Sequence, residues 1–315
     1  MQAQENVVLN KRRQNLRKFK NNIPLHLMLM PAMVVTIIFS YIPMVGIIMA
    51  FQKFIPAKGM FGDQIWVGWK NFELLFSDPA FGKVIRNTVV IALGKIALGT
   101  VVPVVFALLL NEVTKKRFKK AVQTIIYFPY FLSWVIFAGM LIDILSPSTG
   151  VVNIIRQNLG LKAVDFLGDK RYFQITVIVT DVMKCFGYNT VIYLATIAGI
   201  DPSLYEAAKM DGANRWQQTW HITLTGMRYI IVLLLILSLG SVLSAGFDQV
   251  YSLMKVSVRE VGDILDTFIY RRGILSTPPN FSLAAAAGLF KAVIGFILIG
   301  GSYYITYKFF DYRLF

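Results

Sequence analysis

A single cysteine, Cys185, and two histidines, His26 and His221, are the only cysteine and imidazole side chains among the 315 residues. One cysteine forms neither an intrachain disulfide nor a zinc site. The histidines are far apart in sequence and have no ligand-like neighbours. A nucleophile–base pair or metal cluster, which an intramembrane enzyme would need, does not assemble from these residues. We therefore expect no catalytic residue and no metal site.

Charged residues are also scarce, at 16% of the chain, whereas 56% of the residues are hydrophobic. A soluble domain is about 25% charged and about 45–50% apolar. The apolar excess is concentrated in six blocks, each long enough to cross a hydrocarbon core of about 30 Å. The composition predicts an all-α membrane protein with six transmembrane helices, over residues 27–50, 88–110, 122–145, 173–199, 229–247 and 282–306.

Basic residues outnumber acidic ones, with 32 Lys and Arg against 17 Asp and Glu. Nucleic acid is not the expected partner, because no nucleic-acid-binding fold fits between the spans. Lys and Arg instead concentrate in cytoplasmic loops of membrane proteins. The two dense clusters lie in the tail 1–26 and in the run 115–120, and alternating spans place both on one side. We expect cytoplasmic termini flanking one membrane domain, residues 27–315, embedded in lipid.

The loop at about 200–228, between the fourth and fifth blocks, contains a spaced pattern: Glu206-Ala207-Ala208, then Gly212, Ile222 and Leu224. Asp201 suits a helix N-cap, and Pro202 suits the first helical position. A start at Ser203, with Glu206 completing a capping box, fits as well. Gly212 is expected to end this helix, since glycine readily adopts positive φ. A second helix, at about 214–222, would lead toward the fifth span.

This spacing resembles the coupling loop of permease subunits in bacterial binding-protein-dependent ABC importers. Three further runs resemble the carbohydrate-type permeases, in particular those that take up oligosaccharides and polysaccharide fragments: 128–134, 199–208 and 287–291. The chain departs from the family pattern at Thr225 and Tyr229, where proline is common. Without these prolines, we expect the loop to run more smoothly into the fifth span.

The resemblance implies a type I importer permease fold in the bacterial cytoplasmic membrane. It also implies a second permease, two ATPase subunits, an extracellular or periplasmic binding protein and an oligosaccharide substrate, for which we favour acidic polysaccharide fragments. In the family, the loop rests in a cleft on the ATPase. Glu206, Asp211 and Arg215 would then make polar contacts, Ala207 and Ala208 would pack closely, and Gly212 would form the turn.

No ATP-binding motif accompanies this loop. Gly82-Lys83 and Gly94-Lys95 are followed by Val84 and Ile96 rather than by Ser or Thr, so the phosphate-binding pattern of ATPases is absent. The chain is expected to hold no cofactor, with ATP and Mg bound by a partner. The alternative is a stand-alone secondary transporter or channel. Broken helices in inverted repeats would favour it, and the sequence offers no convincing pair.

Charged residues inside the predicted spans suggest function, because burying charge in a bilayer is costly. They are Lys95, Asp143, Asp181, Lys184, Asp248 and Lys291. Asp181 and Lys184 are three residues apart and either pair with each other or line a path. Lys184 unpaired, and Arg271-Arg272 at the entrance, could favour an anionic sugar. The predicted substrate path comprises Asp181, Lys184, Tyr188, Asn189, Tyr193, Ser241, Ser244, Asp248 and Gln249.

Three loops are expected on the outer side, at about 51–87, 146–172 and 248–281. The first contains the segment 66–76, rich in Trp and Phe. Its composition predicts a short amphipathic segment at the membrane surface, where Trp is favoured.

Overall fold

Five unbroken helices account for five of the six apolar blocks. A computed structural model describes residues 22–240 and 242–310. The basic tail up to residue 21, Ser241 and residues 311–315 lie outside the described part. The five helices are α1 (Ile23–Phe51), α3 (Pro79–Asn111), α7 (Lys170–Ala198), α9 (Arg215–Gly240) and α13 (Phe281–Phe310). They confirm the all-α prediction, and the strands among the described residues are the antiparallel pair β1 (Gln52–Lys53) and β2 (Ile65–Trp66).

Shorter helices connect these spans. They are α2 (Lys70–Ser77), α4 (Lys116–Phe131), α5 (Trp134–Ile144), α6 (Val151–Asn158), α8 (Pro202–Met210), α10 (Phe247–Leu253), α11 (Arg259–Gly262) and α12 (Leu265–Tyr270). Single turns of other helix types lie at Pro56–Lys58, Val256–Val258 and Arg271–Leu275.

The third block is not one straight span. It is divided into α4 and α5, whose axes differ by 104°. Pro129 supplies no N–H to the helix, Leu132 is extended, and the Ser133 side chain caps the new helix by accepting from Ile136 N. The expectation of a continuous helix over 122–145 was therefore wrong, and the chain has six spans only when this bent pair is counted as one.

The fifth block is displaced relative to its prediction at 229–247. α9 begins at Arg215 and ends at Gly240, after which the chain turns through residues 242–246. Gly246 has φ +94°, a conformation that favours glycine. A π-helical turn at Thr219–Thr223 joins the loop to the span without a break. The smoother run expected from the missing prolines is thus confirmed.

Residues 242–264 fill one end of the bundle and are here called the outer plug, because they overlap the loop that the sequence predicts on the outer side. Val250, Leu253 and Val258 are buried against residues of α3, α5 and α7, among them Ile91, Leu141, Phe173 and Val177. The following helix, α12, buries Leu265 and Phe268 against α3 and α13. The segment predicted as the outer loop 248–281 therefore contributes several residues to the apolar core, while residues such as Tyr251, Val256 and Ile274 remain exposed.

The predicted surface segment 66–76 forms β2 and most of α2. Phe72 and Leu75 of α2 are buried in the protein core, whereas Trp66 and Trp69 are 64% and 67% exposed. The segment is amphipathic as expected. Its apolar face packs against the protein, and the two tryptophans remain on the surface.

Ion pairs fasten the outer segments to the spans. Glu260 of α11 binds both Lys83 of α3 (2.7 Å) and Lys170 of α7 (2.5 Å). The hydrogen bonds from Lys170 and Lys83 lower the pKa of Glu260 to about 2, so its carboxylate is ionised at physiological pH. Arg271 and Arg272 bind Asp263 and Asp78. These arginines are therefore engaged in structural pairs, which differs from the entrance role considered from the sequence.

The close contact between α7 and α4 generates the first prediction. A Cβ atom at Gly187 would lie 2.0 Å from the Ile126 carbonyl oxygen. Because backbone must then shift, Gly187→Ala should destabilise the protein by about 1–3 kcal/mol, measured as a lower midpoint of thermal unfolding after detergent extraction. Gly288→Ala is the matched control, since no heavy atom lies within 4 Å of its added Cβ. Equal midpoints for the two variants would contradict the packing described.

Candidate functional site

A cavity of about 380 Å³ lies between α3, α7, α9 and the bend that separates α4 from α5. Five residues of the predicted substrate path line it: Asp181, Tyr188, Asn189, Tyr193 and Ser244. Lys184, Asp248 and Gln249 are not among the lining residues, and Ser241 is outside the described part. Polar residues that the predicted path did not include also line the cavity: Lys95, Thr100, Tyr130, Cys185 and Ser238. The structure thus brings five residues of the predicted path together around one cavity and adds five further polar residues to its lining.

Two stacked tyrosines line this cavity, Tyr130 at the bend and Tyr188 on α7, and are here called the aromatic shelf. The Tyr130 and Tyr188 rings stack with centroids 4.3 Å apart and planes 6° from parallel. Such faces can pack against the apolar faces of sugar rings, while Asn189 and the tyrosine hydroxyls supply hydrogen-bonding groups. Tyr130 was not predicted as a site residue, because the helix break that places it in the cavity lining was not predicted. Pro129, inside an apolar block, was the one sequence signal for that break.

Lys184 contacts Tyr130 of the aromatic shelf but does not line the cavity. Its side chain is buried and donates from Nζ to the Tyr130 carbonyl oxygen (2.9 Å). The ammonium also lies 5.4 and 5.3 Å from the ring centroids of Tyr130 and Trp134. It therefore contacts the last turn before the bend and the first residue after it. A cation favours a carbonyl end of a helix, so Lys184 stabilises the break itself.

Asp181 pairs with Lys95 rather than with Lys184. The Lys95 ammonium lies 3.1 Å from the Asp181 carboxylate and donates to the Ala245 carbonyl oxygen (2.7 Å) and to Gln249 Oε1. Gln249 Nε2 in turn donates to Val177 O and Thr180 Oγ1. This resolves the two alternatives left by the sequence, since the Asp181–Lys184 pair is not formed. This ion pair is partly buried, and the pairing offsets part of the cost of removing the two charges from water.

The remaining charged residues of the predicted spans lie away from the cavity. Lys291 of α13 binds Asp266 of α12 at 2.6 Å. Asp143 and Asp248 have exposed side chains. These residues contribute to the cohesion or the surface of the protein rather than to the cavity wall.

The loop between α7 and α9 folds as a helical hairpin, residues 201–218, which we call the coupling hairpin. The Asp201 side chain accepts from Ser203 N (2.9 Å) and so begins α8. Gly212 makes the turn with φ +80°, as expected. Asn214 and Gln217 form a capping box at the start of the next helix. Of the two starts considered for α8, the cap at Asp201 is the one adopted.

The predicted contact residues of the hairpin are mostly exposed. Glu206, Ala207, Asp211 and Gly212 lie on the surface, and Ala208 is half-buried. Arg215 is exposed as well, but its guanidinium donates to Glu112 at the C-terminal end of α3 (2.7 Å). This intrachain pair was not expected, and nothing in the sequence relates two residues 103 positions apart. The ATPase contacts of these six residues remain predictions.

Comparison with known proteins decides the family. Residues 99–314 match the family described as the binding-protein-dependent transport system inner membrane component. The chain belongs to this family. It is 42% identical to the polygalacturonan/rhamnogalacturonan transport system permease protein YteP of Bacillus subtilis, with 92% of this chain and 89% of that protein covered. It is 40% identical to protein LplB of the same organism, with 90% and 89% covered.

Solved structures agree with this assignment. The fold matches a crystal structure of a bacterial ABC transporter involved in the import of the acidic polysaccharide alginate, with a TM-score of 0.86 and 36% identity, over 94% of this chain and 99% of that one. A second match, with a TM-score of 0.85 and 36% identity, is an alginate ABC transporter in complex with a periplasmic protein bound to alginate pentasaccharide; it covers 93% of this chain and 96% of that one. The chain is therefore a multi-pass permease subunit of a carbohydrate-type ABC importer, as the sequence predicted.

The role of Lys184 at the bend can be tested directly. Lys184→Met removes the donor to the Tyr130 carbonyl and should lower the free energy of unfolding by about 1–3 kcal/mol. Lys184→Arg keeps the positive charge and should recover part of the loss. Thermal unfolding of the detergent-extracted protein measures both. A Met variant as stable as the wild type would show that the bend does not depend on this ammonium.

Proposed function

We propose that this chain is one of two permeases in an ATP-driven importer of acidic oligosaccharides, which an external binding protein delivers. The observation that carries the proposal is that the coupling hairpin joins two of the helices that line the cavity. α7 supplies Tyr188 and Asn189, and α9 supplies Leu234 and Ser238. Because both helices are continuous, a displacement of the hairpin would be transmitted along them to the cavity.

The energy source would be a separate ATPase that holds ATP and Mg and docks on the coupling hairpin. Glu206 and Asp211 take part in no ion pair with the described residues, and Met210 beside them is 87% exposed. Exposed carboxylates around an apolar side chain suit a protein partner, because interfaces combine an apolar centre with a polar rim. The hairpin, the cluster 115–120 and both termini would lie in the cytoplasm, in accordance with the density of basic residues.

A second permease is supported by the dimensions of the cavity and by the exposed surface of α1. A volume of about 380 Å³ falls at the low end of the range of about 300–1,000 Å³ for small-molecule pockets. An oligosaccharide needs a longer and wider path, which a second subunit would complete. α1 has only 6% of its most apolar window buried. That surface is therefore free to contact lipid and the second permease.

Acidic substrates are supported by the relatives and by the charge of the cavity. YteP is named as a polygalacturonan/rhamnogalacturonan permease, and the two structural neighbours are alginate transporters. Among the described residues that line the cavity, Asp181 is the only acidic side chain, and Lys95 offsets its charge. No uncompensated negative charge in this lining would repel a uronate carboxylate as it passes.

Coupling is tested in the complex purified through a tag on this chain and reconstituted in membranes. The preparation should contain an ATPase, a second permease and, with ligand, a bound solute-binding protein. Glu206→Lys, which reverses an exposed charge, and Gly212→Pro, which cannot adopt φ +80°, should each reduce substrate-stimulated ATP hydrolysis about tenfold or more, the factor that 1.4 kcal/mol of lost coupling corresponds to.

Glu73→Lys is the matched control, because Glu73 is exposed on α2 at the opposite end of the bundle. It should leave ATP hydrolysis unchanged. Normal stimulated hydrolysis in both hairpin variants would contradict the coupling role, and a transport-competent species that contains this chain alone would contradict the whole assembly.

Substrate class is tested by comparing ATPase stimulation with the binding protein loaded with acidic or with neutral oligosaccharides. Acidic fragments should stimulate more strongly. Lys184→Met should leave the ratio of the two responses unchanged, because the Lys184 ammonium contacts Tyr130 and Trp134 rather than the cavity. A response to neutral sugars alone would remove the acidic-substrate proposal, and a selective loss of the acidic response in Lys184→Met would place that ammonium on the path.

A further inference from the structure

The outer plug separates the cavity from the outer ends of α3 and α7. Glu260 binds both Lys83 of α3 and Lys170 of α7, so these two residues lie at the same depth along the axis of the bundle. Lys95 is twelve residues further along α3, and Asp181 eleven residues further along α7, so both lie about 17–18 Å deeper at 1.5 Å per residue. The apolar core around Val250 and Leu253 occupies the space between the two levels.

The cluster around Lys95 lies where the plug meets the cavity. Lys95 and Asp181 belong to the frame formed by α3 and α7, whereas Ala245 and Gln249 belong to the plug. On α7 the lining residues extend from Asp181 inward to Tyr193, so Asp181 is the outermost of them. A substrate that arrives from the outer side along α3 and α7 therefore meets the plug at this cluster before it reaches the aromatic shelf.

We propose that Lys95 is a latch that holds the outer plug closed and that its bonds to Ala245 and Gln249 break when substrate enters. The ammonium has three N–H groups, and the three partners in this state use all of them. The plug backbone comes so close that a Cβ at Gly246 would lie 2.7 Å from Lys95 Nζ. Glycine is favoured at this position by its φ of +94°, and a Cβ added there would push the Lys95 ammonium aside.

The arrangement of charge permits reversible opening. The partner that neutralises Lys95 is Asp181, which stays on the frame with it. When the part of the plug that carries Ala245 and Gln249 moves away, the Lys95–Asp181 ion pair remains, and water entering from the outer side replaces the two lost acceptors. Glu260, at the far end of the plug, keeps its exposed pairs with Lys83 and Lys170. No unpaired charge is left at the cavity, whereas a carboxylate on the moving part in place of Asp181 would leave both charges unpaired on opening. Lys95 acts here as a positioning residue, because it holds backbone rather than substrate.

The only cysteine of the chain reports on the latch. Cys185 lies one helical turn inward of Asp181 and lines the cavity. In right-side-out membrane vesicles that contain the assembled transporter, a charged, membrane-impermeant methanethiosulfonate added outside should modify wild-type Cys185 slowly. Lys95→Met should raise the rate at least about fivefold, the lower end of typical coupling effects. Lys95→Arg, which keeps the charge and the donors, should remain nearer the wild-type rate.

A second variant acts from the plug and keeps every charge. Gly246→Ala should separate Lys95 from Ala245 by steric conflict and raise the labelling rate as well. Lys291→Met is the matched control, because it removes another largely buried Lys–Asp pair, with Asp266, that does not line the cavity. Its labelling rate should equal that of the wild type. An equal increase in Lys291→Met, or no increase in both Lys95→Met and Gly246→Ala, would overturn the latch.

This inference rests on the proposed sidedness and import function, and the two can fail separately. Faster labelling of Cys185 in the latch variants, without any ATPase in the purified wild-type complex, would support the latch and refute the ATP-driven assembly. Stimulated ATP hydrolysis in the wild type, with unchanged labelling in the variants, would refute the latch and leave the import function intact.

Discussion

The need to pair backbone carbonyl groups inside the bilayer governs the arrangement of this protein. The third span is divided by the bend between α4 and α5, and the fifth, α9, ends at Gly240 before the turn at residues 242–246. In each case a lysine from a neighbouring span donates to a carbonyl of this irregular backbone: Lys184 to Tyr130 and Lys95 to Ala245. An unpaired carbonyl in hydrocarbon costs several kcal/mol. The two ammonium groups therefore satisfy carbonyls of irregular backbone beside the polar cavity, which lies between the bend and the turn that follows α9.

The same constraint explains why the two lysines differ in their other partners. Lys184 is enclosed by the Tyr130 and Trp134 rings, so its charge is stabilised within a fixed aromatic wall. Lys95 is stabilised by Asp181 from the adjacent helix, and its contacts to the plug are additional. The first arrangement suits a permanent bend. The second suits a contact that forms and breaks, because the charge stays neutralised in both states.

Local signals in the sequence predicted those features that depend on neighbouring residues. Asp201, Pro202 and Gly212 determine the coupling hairpin through capping and turn geometry, and the structure confirms it. The break at Pro129 was hidden, because its flanking residues are as apolar as a continuous span. The pairing of Asp181 was open, since Lys184 is near in sequence whereas Lys95 lies on another helix. The bond between Arg215 and Glu112 depends on tertiary packing alone, and no local pattern encodes it.

The Arg215–Glu112 pair also extends the mechanical link between the hairpin and the cavity. The hairpin is covalently joined to α7 and α9, and this pair adds α3, the third long helix of the cavity wall. Both side chains are substantially exposed, at 79% and 45%, so the pair is worth little on its own in water. A docked ATPase that covered it would exclude solvent and strengthen the attraction. Docking would then couple α3 to the hairpin more firmly, so that the helices bearing Lys95, Asp181 and Ser238 respond to the same displacement.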